Sequence, residues 1–228
     1  MSGVLRAGLR RLLPGLLFSL AAVTCAAQQP VAEVSRLVGT ATAQSPGAER
    51  RALSQGAAIY LLDRVETGPR AALRLQFRDQ TSVSLGERSG MIVSRYSADA
   101  AEPSFLAEIL RGTFRIVTGL IGRTRPTAVS VITPTAVVGV RGTHFGGEVD
   151  GERTVVVLLE PEQRDTPTAV EVSNRFGRVV LEEPGFGTEI PNAQSAPSVP
   201  RRMQLRAVEN LIRSVTTIQR SPAPRAPR

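Results

Sequence analysis

The sequence predicts an all-β fold: a sandwich, roll or short solenoid of many short strands, followed by a C-terminal amphipathic helix. Three observations carry this. Between residues 34 and 190, short apolar runs bounded by turn residues recur about every ten residues. Several of these runs alternate with period two, and beyond residue 200 the period becomes helical. Apolar residues make up 42% of the 228-residue chain, so a core is within reach; aromatics are only 4% and Trp is absent, so that core is expected to be Val, Leu, Ile and Ala.

The chain opens with Arg6, Arg10 and Arg11 and no acid, then runs uncharged through LLPGLLFSLAAVTCAA at 12–27. A membrane-spanning helix needs roughly 20 apolar residues. This run is shorter, contains Pro14 and Gly15, and exits through small residues, which reads as a secretory signal peptide cleaved after Ala27. An uncleaved anchor is the alternative. Thr24 ahead of Cys25 disfavours lipidation, and cleavage would leave a mature chain without cysteine, hence without disulfides or thiolate chemistry.

The β region is expected over 28–191. VSRLVGTATA and AAIYLL come first, then the break DRVETGPR. AALRLQF places Leu73, Leu75 and Phe77 on one side and Arg74, Gln76 and Arg78 on the other. RDQT reads as a turn, and TSVSLGE carries Val83 and Leu85 inward. The stretch 98–111, ADAAEPSFLAEILR, reads as a short helix or a loop over the sheet. Further strand candidates follow in GTFRIVTG, TAVSVITPTAVVGV, GTHFGGEV, RTVVVLLE, TAVEVSN and GRVVLEE, and PGFGTEIP closes the series. SNRFGRVV suggests a hairpin, with Asn174 and Gly177 suited to positive φ. No α/β alternation is convincing, so a parallel sheet with crossover helices is disfavoured.

Residues 192–200, NAQSAPSVP, read as a linker. Over 201–220 the apolar residues Leu205, Val208, Ile212 and Val215 share one helical face, while Arg202, Arg206, Arg213 and Arg220 fall largely elsewhere and are candidate contacts for a partner or a membrane. The linker implies a helix free to swing. The tail 221–228, with Pro222, Pro224 and Pro227, is expected to be disordered.

Charge distribution excludes one class. The formal charge is +8, but residues 28–200 hold eighteen arginines against nineteen acids, and the excess sits in the two ends. A domain that grips phosphates carries its excess on the fold itself, so no nucleic-acid partner is expected. All 28 basic residues are Arg.

The chemistry-bearing residues are sparse. His144 is the single histidine, which leaves a catalytic triad or a zinc site short of partners. Glu148, Asp150 and Glu152 alternate near a turn and read as a solvated hairpin face; no EF-hand or phosphate-loop spacing is present. No cofactor, metal or enzymatic activity is expected. In TPTAVVGVRGTHF, residues 133–145, Val137, Val138 and Val140 supply burial, while Gly139 and Gly142 suit a bulge or close backbone approach. Arg141 between them is expected to act as a structural rivet, its guanidinium bonding a neighbouring loop, with Thr143 adding a hydroxyl bond; ligand binding is the alternative.

This stretch resembles the hallmark of FecR-type domains: TP, several apolar residues, then RGT. Thr133, Pro134, Gly139, Arg141, Gly142 and Thr143 carry the likeness. DRVETGPRAALRLQFRDQTSVSLGERSGMIV resembles the earlier part of that domain, LRGTFRIVTG its middle, and VEVSNRFGRVVLEEPGFGTEI its closing hairpin, over about 55–190. The resemblance implies an all-β extracytoplasmic domain. In the best-known members it belongs to an inner-membrane regulator that relays occupancy of an outer-membrane siderophore transporter to a sigma factor. Too few residues precede the apolar run here for such a sigma-binding segment, and the run reads as a signal. The expectation is an exported, periplasmic or secreted, non-catalytic domain acting on a protein partner in signalling or scaffolding. The alternatives are a module binding peptidoglycan or anionic lipid, and a hydrolase with an unrecognised carboxylate pair.

Overall fold

A computed structural model describes residues 28–142, 144–160, 168–204 and 206–216. The expected leader 1–27, the tail 221–228, and Thr143, Leu205 and Arg220 lie outside the described residues.

Strands dominate. β1 (Ala32–Val38), β2 (Ala41–Gln44), β3 (Arg51–Ala52), β4 (Ala58–Ile59), β5 (Arg64–Thr67), β6 (Ala72–Phe77), β7 (Ser82–Leu85) and β8 (Gly90–Ser97) lead into the long β9 (Ser104–Val117). A short helix α1 (Leu120–Thr124) and a 3-10 turn (Pro126–Ala128) precede β10 (Val129–Ile132), β11 (Val137–Arg141), β12 (His144–Asp150) and β13 (Arg153–Leu158). Then come β14 (Ala169–Asn174), β15 (Gly177–Leu181), β16 (Phe186–Ile190), β17 (Arg201–Arg202) and α2 (Arg206–Thr216).

The strands form two sheets that share β9. One runs β4-β1-β6-β7-β9-β12-β13-β16-β17. The other runs β3-β2-β5-β8-β9-β10-β11-β14-β15. Residues Ser104–Arg111 of β9 pair in the second sheet and Gly112–Val117 in the first. The corner is Gly112, at φ +86°, where a β-carbon would fall 2.5 Å from Ser89 Cα. No L side chain fits that conformation or that gap.

β9 corrects the expectation for 98–111, which is strand from Ser104 onward. It also pairs in parallel with β10 across the short α1 crossover, the one parallel ladder among the described residues. The core contains Leu73, Leu75, Phe77, Val83 and Leu85 as the alternation implied. It is more aromatic than composition suggested. Phe77, Tyr96 and Phe105 pack with ring centroids 5.0–6.2 Å apart, and Phe114 meets Phe145 edge-on at 6.1 Å. The few aromatic rings are concentrated where edge-to-face packing adds to area burial.

The hairpin β14–β15 forms as expected, but by different turn chemistry. Asn174 and Gly177 are not at positive φ. Instead Asn174 Oδ1 accepts the N–H groups of Phe176 (2.9 Å) and Gly177 (3.2 Å), closing the turn through the side chain.

The segment 192–200 is tied down. Asn174 Nδ2 donates to Ser195 O (2.8 Å), Ser198 N donates to Glu189 O (3.0 Å), and Thr188 Oγ1 donates to Ser198 O (2.7 Å). Within the expected helical span 201–220, Arg201 and Arg202 form β17, and α2 begins at Arg206. Rather than swinging free, α2 packs across β1, β6, β7, β9 and β12 with Val208 buried and Ile212 half-buried. Gly146 makes the seat: a β-carbon there would lie 3.0 Å from Val208 Cγ1 and 2.9 Å from Phe114 O.

Candidate functional site

The resembling motifs are, first of all, polar latches. In DRVETG, Asp63 has no exposed surface. Its carboxylate pairs with Arg51 and accepts Ser45 Oγ–H (2.6 Å) and Tyr60 N–H (2.8 Å). Burial alone would push this carboxyl up; the hydrogen bonds from Arg51, Ser45 and Tyr60, aided by the Arg51 charge, outweigh it and hold the pKa below the ordinary value. Thr67 of the same motif donates its hydroxyl to Gly86 O (2.6 Å) and accepts Ser89 N–H (2.8 Å). Its hydroxyl thus fastens the end of β5 to the turn between β7 and β8.

In RDQT, buried Asp79 accepts Thr81 Oγ–H (2.7 Å) and Tyr96 O–H (3.3 Å), while Asp79 N–H donates to Tyr96 Oη (2.8 Å). Burial, reinforced by the Asp79 charge, pushes the Tyr96 phenol up to about 12. Gln80 completes the turn at φ +70°.

In TPTAVVGVRGT, Thr133 N–H donates to Ala136 O (2.9 Å) and Ala136 N–H donates to Thr133 Oγ1 (3.1 Å), a tight turn around Pro134. Buried hydroxyls continue the latch: Thr135 Oγ1 donates to Thr154 Oγ1 (2.7 Å), and that to Thr133 Oγ1 (3.2 Å). Val138 and Val140 face the core, whereas Val137 and Arg141 face out.

Two expectations fail here. Arg141 is exposed on the outer face of β11 and rivets nothing inward. Gly139 sits in regular pairing with Ser130 and Glu171, and a β-carbon there would meet only Glu171 Cβ at 3.9 Å, so neither a bulge nor a close approach within the chain explains it. Gly142 does need special geometry, at φ +49°.

The buried arginine is Arg115, which the sequence did not single out. It donates Nε–H to His144 Nε2 (2.5 Å), and His144 Nδ1 lies 2.6 Å from Glu160 O. Register places Arg36, Arg74, Ser84, Arg115 and Gly146 in one row across five strands of the first sheet. Strand alternation points such a row to one face. The single histidine therefore belongs to a polar layer.

Of the expected contact arginines, Arg202, Arg206 and Arg213 are all exposed. Arg202 lies over the Phe186 ring at 5.4 Å, and Arg213 pairs with Glu209 at 3.7 Å. Beside α2 opens a cleft of about 830 Å³ lined by Arg70, Glu87, Arg88, Arg111, Glu148 and Asn210 among others. Two of its charges are engaged: Glu87 accepts the backbone N–H of Arg70 (2.8 Å), and Arg111 donates to Glu66 (3.1 Å). Among the described residues, no three of His, Cys, Asp and Glu group to hold a metal ion, and no helix is long and apolar enough to cross a membrane.

Comparison with known proteins fits this architecture. Residues 63–162 match the family described as FecR protein. Two crystal structures of a "putative anti-sigma factor" from Parabacteroides distasonis ATCC 8503, at 1.65 and 2.50 Å, share the fold. They are 18% and 19% identical, with TM-scores of 0.51 and 0.52 over 66% and 67% of this chain. The chain spans 64–65% of the length of those proteins. No curated protein matches the sequence. The family match covers β5 to the end of β13 and takes in Asp63, Thr67, Asp79 and the whole TP…RGT turn, so the latches described above lie on residues that are similar to FecR proteins.

Proposed function

We propose that this chain is an exported, non-catalytic interaction module of the cell envelope that receives or relays a signal by binding a protein partner. The observation that carries this is the FecR match over 63–162. The fold neighbour's description as an anti-sigma factor supports a place in signalling. The site chemistry agrees: the single histidine, the buried acids and the motif threonines are engaged in hydrogen bonds within the fold. The basic arginines of α2 favour a second reading, contact with an anionic envelope component through Arg206 and Arg213.

Two measurements test the proposal. N-terminal sequencing of the protein from cell fractions should find it in the periplasm or medium, starting near Gln28; an intact Met1 in the inner membrane overturns export. Site-specific crosslinking in the intact envelope should give a discrete protein adduct that survives high salt. Association with anionic vesicles alone, abolished by salt, favours the second reading and overturns the first.

A further inference from the structure

β15 is the last strand of its sheet, and among the described residues it pairs only with β14. The hairpin closes on the pair Asn174–Gly177. Hydrogen-bonded pairs alternate from there, so Gly177, Val179 and Leu181 direct their backbone groups to β14, while Arg178 and Val180 direct theirs to the open edge. An edge of this kind is a template for another strand, and proteins usually blunt it with Lys, Pro or a bulge. Within Gly177–Leu181 there is no Pro, Lys or bulge; Arg178 is the one charge. The outer face adds apolar surface: Phe176, Val180 and, on β11, Val137 are 44%, 43% and 45% exposed. They are three of the most exposed large hydrophobic residues described; register puts Val137 and Val180 on one face of the sheet, and Phe176 sits in the turn that leads into β15.

We propose that β15 is a homodimerisation edge: two copies of this chain pair their β15 strands antiparallel about a two-fold axis through Val180, with Arg178 opposite the partner's Glu182. The charge pattern selects this register. Glu182 directly follows β15, is exposed, and shares strand parity with Arg178 and Val180. Centring on Val180 therefore places Val180 against Val180 on the outer face, flanked on both sides by opposite charges. The outward backbone groups of Arg178, Val180 and Glu182 then meet their counterparts in hydrogen-bonding positions. Centring on Arg178 would set Arg178 against itself, and centring on Val179 would set Arg178 opposite Val180; directly opposed like charges are unfavourable and opposed unlike charges favourable. An isologous interface of this form closes on itself and does not propagate into fibres. The inference does not depend on the signalling reading, because its test uses one purified protein.

The test is a charge-swap cycle read by sedimentation equilibrium of the full chain over a concentration series. The parent is expected to rise in mass towards twice that of the monomer as concentration increases. Arg178→Glu and Glu182→Arg each convert both flanking pairs to like charges and should weaken the dimer by about tenfold or more, while the double variant R178E/E182R restores it to within about threefold. Both positions are exposed, and unchanged far-UV circular dichroism and melting temperature show that each variant folds. A chain that stays monomeric throughout overturns the proposal, as does a dimer that both single substitutions leave unchanged or that the double variant fails to restore.

Discussion

Arg115 and His144, on adjacent strands of the same sheet, are joined by a 2.5 Å bond from Arg115 Nε to His144 Nε2. Arginine has no acceptor to offer, so Nε2 must be the unprotonated nitrogen and the Nδ1–H donates to Glu160 O at 2.6 Å. The histidine is thereby fixed in one neutral tautomer. Nitrogen-15 imidazole shifts should show Nδ1 protonated and Nε2 bare at neutral pH. Replacing His144 by Ala removes one acceptor from a buried guanidinium and should cost about 1–3 kcal/mol in thermal or denaturant unfolding. A rapidly averaging imidazole, or an unchanged stability, would contradict the assignment.

Acid should attack the Asp63 latch. Its folded pKa lies below the ordinary value, so its contribution is complete above the unfolded pKa of about 3.9 and is lost as pH falls through the folded pKa. Melting temperatures of the parent and of Asp63→Asn, compared from pH 7 down to pH 2, should converge as pH falls. Arg51→Ala at neutral pH leaves the buried carboxylate without its cation, at about 2–3 kcal/mol, somewhat under the ~3–5 typical of wholly buried pairs because Arg51 is partly exposed.

Alkali should act through Tyr96. A folded pKa raised to about 12 means stability that is complete below the unfolded value of about 10 and disappears between those two pH values. Tyr96→Phe is expected to lose about 1 kcal/mol at neutral pH, through the missing bonds to Asp79, yet to melt with a shallower pH dependence above 10. Melts from pH 8 to 11.5 check both halves of this expectation.

The glycines should separate into three classes. Gly112→Val drives a side chain into Ser89 at positive φ and should abolish folding or cost well over about 3 kcal/mol. Gly142→Val meets backbone strain at φ +49°, costing about 1–3 kcal/mol. Gly139→Val and Arg141→Ala point into open space and should stay within about 0.5 kcal/mol of the parent. Denaturant midpoints of the four variants rank them directly.

Docking of α2 is tested by Val208→Ala. Val208 is 1% exposed and seats over Gly146, so truncation should cost about 1–2 kcal/mol of the stability of the β domain itself. If the helix merely swung on a tether, the melt of the domain would not move.

How much of this was legible in the sequence depends on whether each signal is local. Leu73, Leu75 and Phe77 alternate with polar neighbours inside one strand, and that pattern alone places them in the core. The TP turn and the Asp79–Gln80 turn are equally local. β9 is not. Phe105, Ala107 and Ile109 face inward, but beyond Gly112 the inward residues are Phe114 and Ile116, so the parity flips within one strand. With Leu106 and Leu110 on its other face, no single alternation survives. Arg115 was hidden for a related reason: its position reads as solvent-facing, and segments far along the chain, α2 and the residues around Glu160, pack on that face. The mistake over Arg141 was the mirror image, an arginine between two glycines that proved to lie on a bare face.

The sharing of β9 between two sheets has a mechanical consequence. Everything up to β8 is laced to one side of this strand or continues from it, and everything from β10 onward is laced to the other. β9 is thus the spine that joins the ladders of the two halves. Load applied at β1 or at β17 would reach the opposite half across Phe114–Val117, the stretch of β9 that pairs with β7 on one side and β12 on the other. Neither half can be peeled away without stripping a ladder from that spine, so the domain should yield to force, as to heat, in one step.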